Sequence, residues 1–264
     1  QPQPASDFST ELLRDYRLGI VSRECSLLGR KEVLTGKAKF GIFGDGKELA
    51  QLAWARVFRD GDFRSGYYRD QTFMLAIGAL TPQQFFASLY ADTDVEREPS
   101  SAGRQMNGHF ATRTINADGT WKRLVDHKNV SADISPTGGQ MPRLLGLAQA
   151  SKVYRAQGVD NGFSRKGAEV AWGTIGNASS SEGLFWETIN AAGVLQVSLV
   201  GTVTAVPRVT CREYLPEVAE ARHDHVDPAR ADRGHRQGRH AARLGRAPRL
   251  VPGQRAGADL AHVD

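Results

Sequence analysis

Residues 168–206 restrict the chain to a narrow set of folds. AEVAWGTIG (168–176) is a short apolar run that closes on glycine. SSSEGLFWETINAAGVL (179–195) follows with helical spacing, and LQVSLVGTVTAV (195–206) is a second β-like run. Parallel neighbours need a crossover, and the crossover helix must cover the sheet, so strand, glycine turn, helix and strand read as a parallel βαβ unit. The expected class is α/β, a parallel sheet flanked by helices.

The preceding residues supply covering helices. Ser9, Thr10 and Glu11 open a helical pattern that runs through Leu12, Leu13, Tyr16, Leu18, Ile20 and Val21. KFGIFGDGKELAQLAWARVF (39–58) starts in a glycine-rich turn and enters a helix over 49–58, followed by a turn at DGDFRSG (60–66). YYRDQTFMLAIG (67–78) reads as a helix. LTPQQFFASLYAD (80–92) reads as another, with Thr81 as N-cap, Pro82 at the first position and Gln84 near the capping-box position. Residues 96–139 are polar and almost aperiodic, the kind of long connection that carries function. Helical spacing returns over 140–155.

No run of about 18 apolar residues exists, and QPQPASDF lacks a basic-then-apolar signal pattern, so neither a membrane span nor export is expected. Cys25 and Cys211 form no C-x-x-C, which argues against a disulfide framework or a zinc site and for a reducing cytoplasm. The first residue is Gln, as expected of a fragment or a processed product.

The net charge of +5 is unevenly made. From Cys211 onward the chain has ten Arg, ten Ala and five of its seven His, with no Lys, Ile, Phe, Trp, Met, Asn, Ser or Thr. Such a segment buries little apolar surface, so a disordered or irregular tail is expected over 198–264, beyond a folded domain over 1–197. An arginine-rich nucleic-acid arm is a poor reading, because Asp224, Asp227 and Asp232 interleave and no aromatic follows Tyr214. A solvated linker, or GC-rich coding sequence read out of frame, accounts for the composition better.

In α/β folds a ligand sits where a strand's carboxyl end turns into the next helix. Here that turn is Gly176-Asn177-Ala178-Ser179-Ser180-Ser181-Glu182-Gly183. Small residues let an anion approach the backbone, and the Asn177 amide oxygen suits a hard cation such as Mg2+. The same residues also suit a plain strand-to-helix turn capped by serines. Gly44-Asp45-Gly46-Lys47 lacks the preceding strand and the spacing of a phosphate loop.

Four segments occur in a distinctive order: SGYYRDQTFMLAIGALTPQQFF (65–86), SSAGRQMNGHFATR (100–113), SADISPTGGQMPRLLGLAQA (131–150) and EVAWGTIGNASSSEGLFWETINAAGVLQV (169–197). Together they resemble the alpha part of thiamine-diphosphate-dependent 2-oxo acid dehydrogenases, the branched-chain (2-oxoisovalerate) type above all, across roughly residues 8–197. The resemblance implies a thiamine-diphosphate-binding fold in which Tyr68 and Arg69 contact the cofactor diphosphate, as suits a guanidinium fork. It implies that Ser135 and Thr137 hold the cofactor ring, and that Asn177 ligates Mg2+ with Gly176, Ala178 and Ser179 beside the diphosphate. Glu182 would support that turn. His109 would face the active-site mouth as the catalytic residue, either handling protons or only packing. The position that serves potassium in some members is Gly139, which has no side chain, so potassium is not expected.

The implied reaction is oxidative decarboxylation of a branched-chain 2-oxo acid, with the cofactor as electron sink and the acyl group passing to a lipoyl acyltransferase. The glutamate that activates the cofactor belongs, in this family, to a beta subunit or fused beta domain. A second metal ligand is expected beyond the second strand, yet residues 202–207 read TVTAVP, and neither Asp nor Asn lies between Asn190 and Asp224. The isolated chain is therefore expected to be inactive and to bind cofactor poorly. The alternatives are a pyruvate or acetoin dehydrogenase, or a non-catalytic binding module that uses the basic tail.

Overall fold

The structure, a computed structural model, describes residues 8–197 and 200–204; the arginine-rich tail lies outside them. Six α-helices and four strands follow in the order α1 (Phe8–Leu34), α2 (Glu48–Val57), β1 (Phe63–Ser65), α3 (Gln71–Ala76), α4 (Pro82–Leu89), β2 (Asn129–Val130), α5 (Gln140–Gln157), β3 (Ala171–Gly176), α6 (Gly183–Leu195) and β4 (Val200–Thr204). The strands form one sheet in the order β2-β1-β3-β4, and every pairing is parallel. This is the α/β class expected from the βαβ unit. Strand β4 pairs with β3 from Trp172↔Val200 to Gly176↔Thr204.

Alternation along β3 divides the core. Trp172 faces α2 and α3, where it joins Phe43, Trp54, Phe58, Phe73, Phe85 and Phe110 in one apolar cluster. Ala171 and Ile175 face α5, where they meet Met141, Leu144 and Ala148. The sheet is thus covered on both faces, as parallel sheets require.

Local chemistry explains the helix ends. The Thr81 hydroxyl accepts from the Gln84 amide, and the Gln84 side chain accepts from the Thr81 amide, which completes the predicted capping box. Helix α5 stops at Gly158, which takes the left-handed conformation at φ 64°.

Two expectations are corrected, and α1 buries a face that its pattern did not mark. The helix read over 67–78 begins only at Gln71, because Tyr67 to Asp70 form a loop. The turn read over 60–66 contains β1, a three-residue strand too short to show a period. In α1 the buried residues are Ser22, Cys25, Ser26, Gly29 and Glu32, while Leu12, Leu13 and Tyr16 stay exposed. Small side chains let this helix lie close to its neighbours, so its contact face is not its most apolar one. No helix among the described residues is long and apolar enough to cross a membrane.

Candidate functional site

The parallel register Ser65↔Gly173 sends the loops after β1 and β3 out of the same edge of the sheet. The first loop is Gly66-Tyr67-Tyr68-Arg69-Asp70 and the second begins at Gly176-Asn177. Tyr67 joins them: a Cβ placed on Gly176 would lie 3.6 Å from its ring, and its ring centroid is 5.1 Å from that of Tyr68. Tyr68 in turn lies 6.3 Å from His109, and the Arg69 guanidinium carbon lies 5.7 Å from the Tyr68 ring centre. The Ser135 loop closes against the Gly176 turn, since a Cβ on Gly138 would stand 3.7 Å from the Glu182 side chain. Tyr68, Arg69, His109, Ser135 and Gly176 are thereby joined in one chain of contacts. Thr137, Asn177 and Ala178 are exposed on the same two loops, beside half-buried Ser179.

Two approaches that exclude a side chain hold the Tyr68-Arg69 backbone. A Cβ on Gly44 would lie 2.3 Å from the Arg69 carbonyl oxygen, and one on Gly108, at φ +80°, would lie 2.5 Å from that of Tyr68. The Gln51 amide also donates to the Arg69 carbonyl at 2.9 Å, and Arg69 Nη1 donates to the Phe43 carbonyl at 2.5 Å. Nearby Lys47 has its pKa lowered, first by burial and then by the positive charge of Arg69. Two cations are thus held on one side of the site, a field that favours an anion.

His109 is only 4% exposed and lies one hydrogen bond below the mouth. Its Nδ1 stands 2.9 Å from the Met106 carbonyl, which can only accept, so Nδ1 carries the proton. In the neutral ring Nε2 then accepts from the Ser135 hydroxyl at 2.9 Å. Exposed Ser135, rather than the imidazole, meets whatever occupies the site.

Beneath the loops lies a cluster that the sequence reading did not identify. Arg64 is fully buried in the middle of β1. Its Nε and Nη2 donate to Asp70 Oδ2 at 2.9 and 2.6 Å, and its Nη1 and Nη2 donate to Asp133 at 3.0 and 3.2 Å. Nη2 also donates to the Tyr67 carbonyl at 2.9 Å. The Thr174 hydroxyl donates to Asp70, and the Phe110 amide donates to Asp133 at 3.1 Å. Burial pushes the Asp133 carboxyl up to about 6 against the pull of Arg64, and the Asp70 charge adds to the rise. Arg64 and Asp70 sit in segments that read as turn and helix, where charged residues normally face water, so nothing in the pattern marked them.

The donors fit a diphosphate: a guanidinium held over Tyr68, the Ser179 hydroxyl, and a turn whose small residues leave its backbone open. For Mg2+ the set is thin. Asn177 is the one predicted side-chain ligand, and among the described residues no group of three or more His, Cys, Asp or Glu is placed to hold a metal.

Comparison with known proteins shows the family. The family described as "Dehydrogenase E1 component" matches residues 21–205. The 2-oxoisovalerate dehydrogenase subunit alpha of Bacillus subtilis (strain 168) is 30% identical over 190 residues, which covers 70% of this chain and 48% of that protein. The chain therefore spans about half the length of the curated relative it matches.

Proposed function

Because the chain belongs to the dehydrogenase E1 component family, we propose that it is the alpha-type part of a thiamine-diphosphate-dependent 2-oxo acid dehydrogenase acting on a branched-chain 2-oxo acid. The observation that carries this reading is the chain of contacts that joins Arg69, Tyr68, His109 and Ser135, with Tyr67 and Gly138 bringing it against the Gly176–Glu182 turn, at the carboxyl edge of a parallel sheet. Similarity to the 2-oxoisovalerate enzyme supports the substrate class.

When bound, thiamine diphosphate supplies the electron sink that lets a 2-oxo acid lose CO2. The chain's own residues bind, orient and handle protons. Arg69 offers a charge-assisted guanidinium to the diphosphate, and because its side chain is already held by the Phe43 carbonyl and the Tyr68 ring, little side-chain freedom remains to be lost on binding. Ser179 and the backbone of Gly176 and Ala178 would complete that cradle, Thr137 would stand at its rim, and the Asn177 amide would reach the Mg2+ that accompanies it.

With Nδ1–H fixed on Met106, the Ser135 proton points at Nε2 and the oxygen lone pairs face outward as acceptors. A proton taken up at Nε2 reverses this, because the ring then donates and the Ser135 hydroxyl is free to donate outward. The pair can therefore hold a proton at Ser135 Oγ in either sense. A beta-type partner would supply the remaining acid–base group, and a lipoyl acyltransferase would take the acyl product.

The test is to express the chain with and without a beta-type partner of this family. Calorimetry follows thiamine diphosphate with Mg2+, while CO2 release is assayed from 3-methyl-2-oxobutanoate and pyruvate, and acetaldehyde release from acetoin. Cofactor binding and preference for the branched substrate are expected only in the assembly. Absence of cofactor binding in both samples sinks the reading, and a preference for pyruvate or acetoin overturns the substrate class alone.

A further inference from the structure

We infer that Arg64 is a positioning residue for the cofactor site, holding in register the segments that carry its contact residues; this rests on the function proposed above. Each group that Arg64 engages, directly or through a shared carboxylate, stands within two or three residues of a candidate contact. Tyr67 and Asp70 bracket Tyr68 and Arg69. Asp133 precedes Ser135 by two positions and also accepts from the amide of Phe110, the residue after His109. Thr174, bonded to Asp70, precedes Gly176 by two. One guanidinium therefore fixes the diphosphate side, the ring side and the metal turn against one another.

The arrangement is a poor one for stability alone. Removing a guanidinium and two carboxylates from water is costly, and well-packed apolar groups in their place are often as stable or more so. What a planar five-donor fork adds is direction: it fixes the relative angles of two carboxylates and one carbonyl, which a lysine ammonium cannot reproduce. Candidate contacts held within a fraction of an ångström are what binding and catalysis by orientation require.

The experiment uses the full chain, alone and assembled with a beta-type partner. Hydrogen exchange on the chain alone needs no cofactor. In Arg64→Lys, protection is expected to fall together over residues 67–70, 133–137 and 174–177, with α4 unchanged. Loss confined to the neighbours of residue 64 would overturn the proposal. In the assembly, Arg64→Lys is expected to weaken thiamine diphosphate binding tenfold or more at a temperature where circular dichroism shows it folded. Unchanged affinity beside a lowered melting temperature would make Arg64 purely structural. If Arg64→Lys does not fold, native-state exchange of the wild type decides: one shared opening for the three segments supports the role, and three independent openings refute it. A wild-type assembly that binds no cofactor refutes the function proposed above and leaves the exchange result standing.

Discussion

Replacing Gly173 with alanine tests the layer contact that places the Gly176 turn. A Cβ at this position would lie 2.3 Å from Leu144 Cδ2 and 3.2 Å from its Cγ, and Leu144 is completely buried between α5 and β3. The methyl cannot enter unless Leu144 leaves its rotamer or α5 moves, an overpacking cost of about 1–3 kcal/mol. Leu144→Ala alone empties the site and costs about 3–5 kcal/mol through lost transfer energy and cavity. In the double variant the clash is gone and the methyl introduced by Gly173→Ala fills part of the cavity. It should then be no less stable than Leu144→Ala, which makes the coupling about 1–3 kcal/mol in favour of the pair. Urea unfolding followed by far-ultraviolet circular dichroism measures all four proteins, with equal slopes required before the midpoints are compared. Costs that add to within about 0.5 kcal/mol would refute the reasoning, because they would mean that the two side chains do not compete for one volume.

The remaining expectations concern the site and its supports. Because the Asp133 carboxyl sits at about 6 when folded against 3.8 ordinarily, the folded state binds its proton more tightly. Its stability contribution is full below about 4 and lost as pH rises through about 6, by roughly 3 kcal/mol. The stability of the wild type relative to Asp133→Asn should fall over that window in urea titrations, and a flat difference from pH 4 to 7 would rule this out. Arg69→Met, which keeps the stem but removes the fork, should weaken thiamine diphosphate binding at least about tenfold in the assembly, in line with the loss of a charge-assisted pair; calorimetry reads it. Thr81→Ala removes the hydroxyl that accepts from Gln84 and should cost about 1 kcal/mol in thermal unfolding with cofactor affinity unaltered.

Much of the architecture could be read because a few segments carry strong local rules. The apolar run ending at Gly176 is buried from Ala171 to Ile175, and its glycine turn and following helix fix a parallel unit with β4. Thr81, Pro82 and Gln84 wrote their helix start directly. Strands β1 and β2, with three and two residues, are made by their neighbours and have no period of their own. The contact face of α1 was missed because closeness, not hydrophobicity, selects Ser22, Ser26 and Gly29. Tyr68, Arg69, His109 and Ser135 were found through motif order, since no spacing rule joins three loops that meet only in space. Arg64, Asp70 and Asp133 escaped for the opposite reason: each is an ordinary surface residue type whose burial exists only because the other two are buried with it.

That mutual dependence, together with the sheet order, has a consequence in time. Strand β1 lies between β2 and β3, and Asp62 beside it accepts from the amide of Val170, 108 residues further on. Arg64 waits 69 residues for Asp133. At about 5–20 residues per second, a ribosome needs roughly 5–20 s after making β1 to deliver its second neighbour. Until then a guanidinium and an open strand edge belong to a chain that cannot yet bury them, and long-range pairing of this kind is slow even once complete. A nascent chain stalled before Ala171 holds the helices α1 to α5 and no strand β3 on which to lay them.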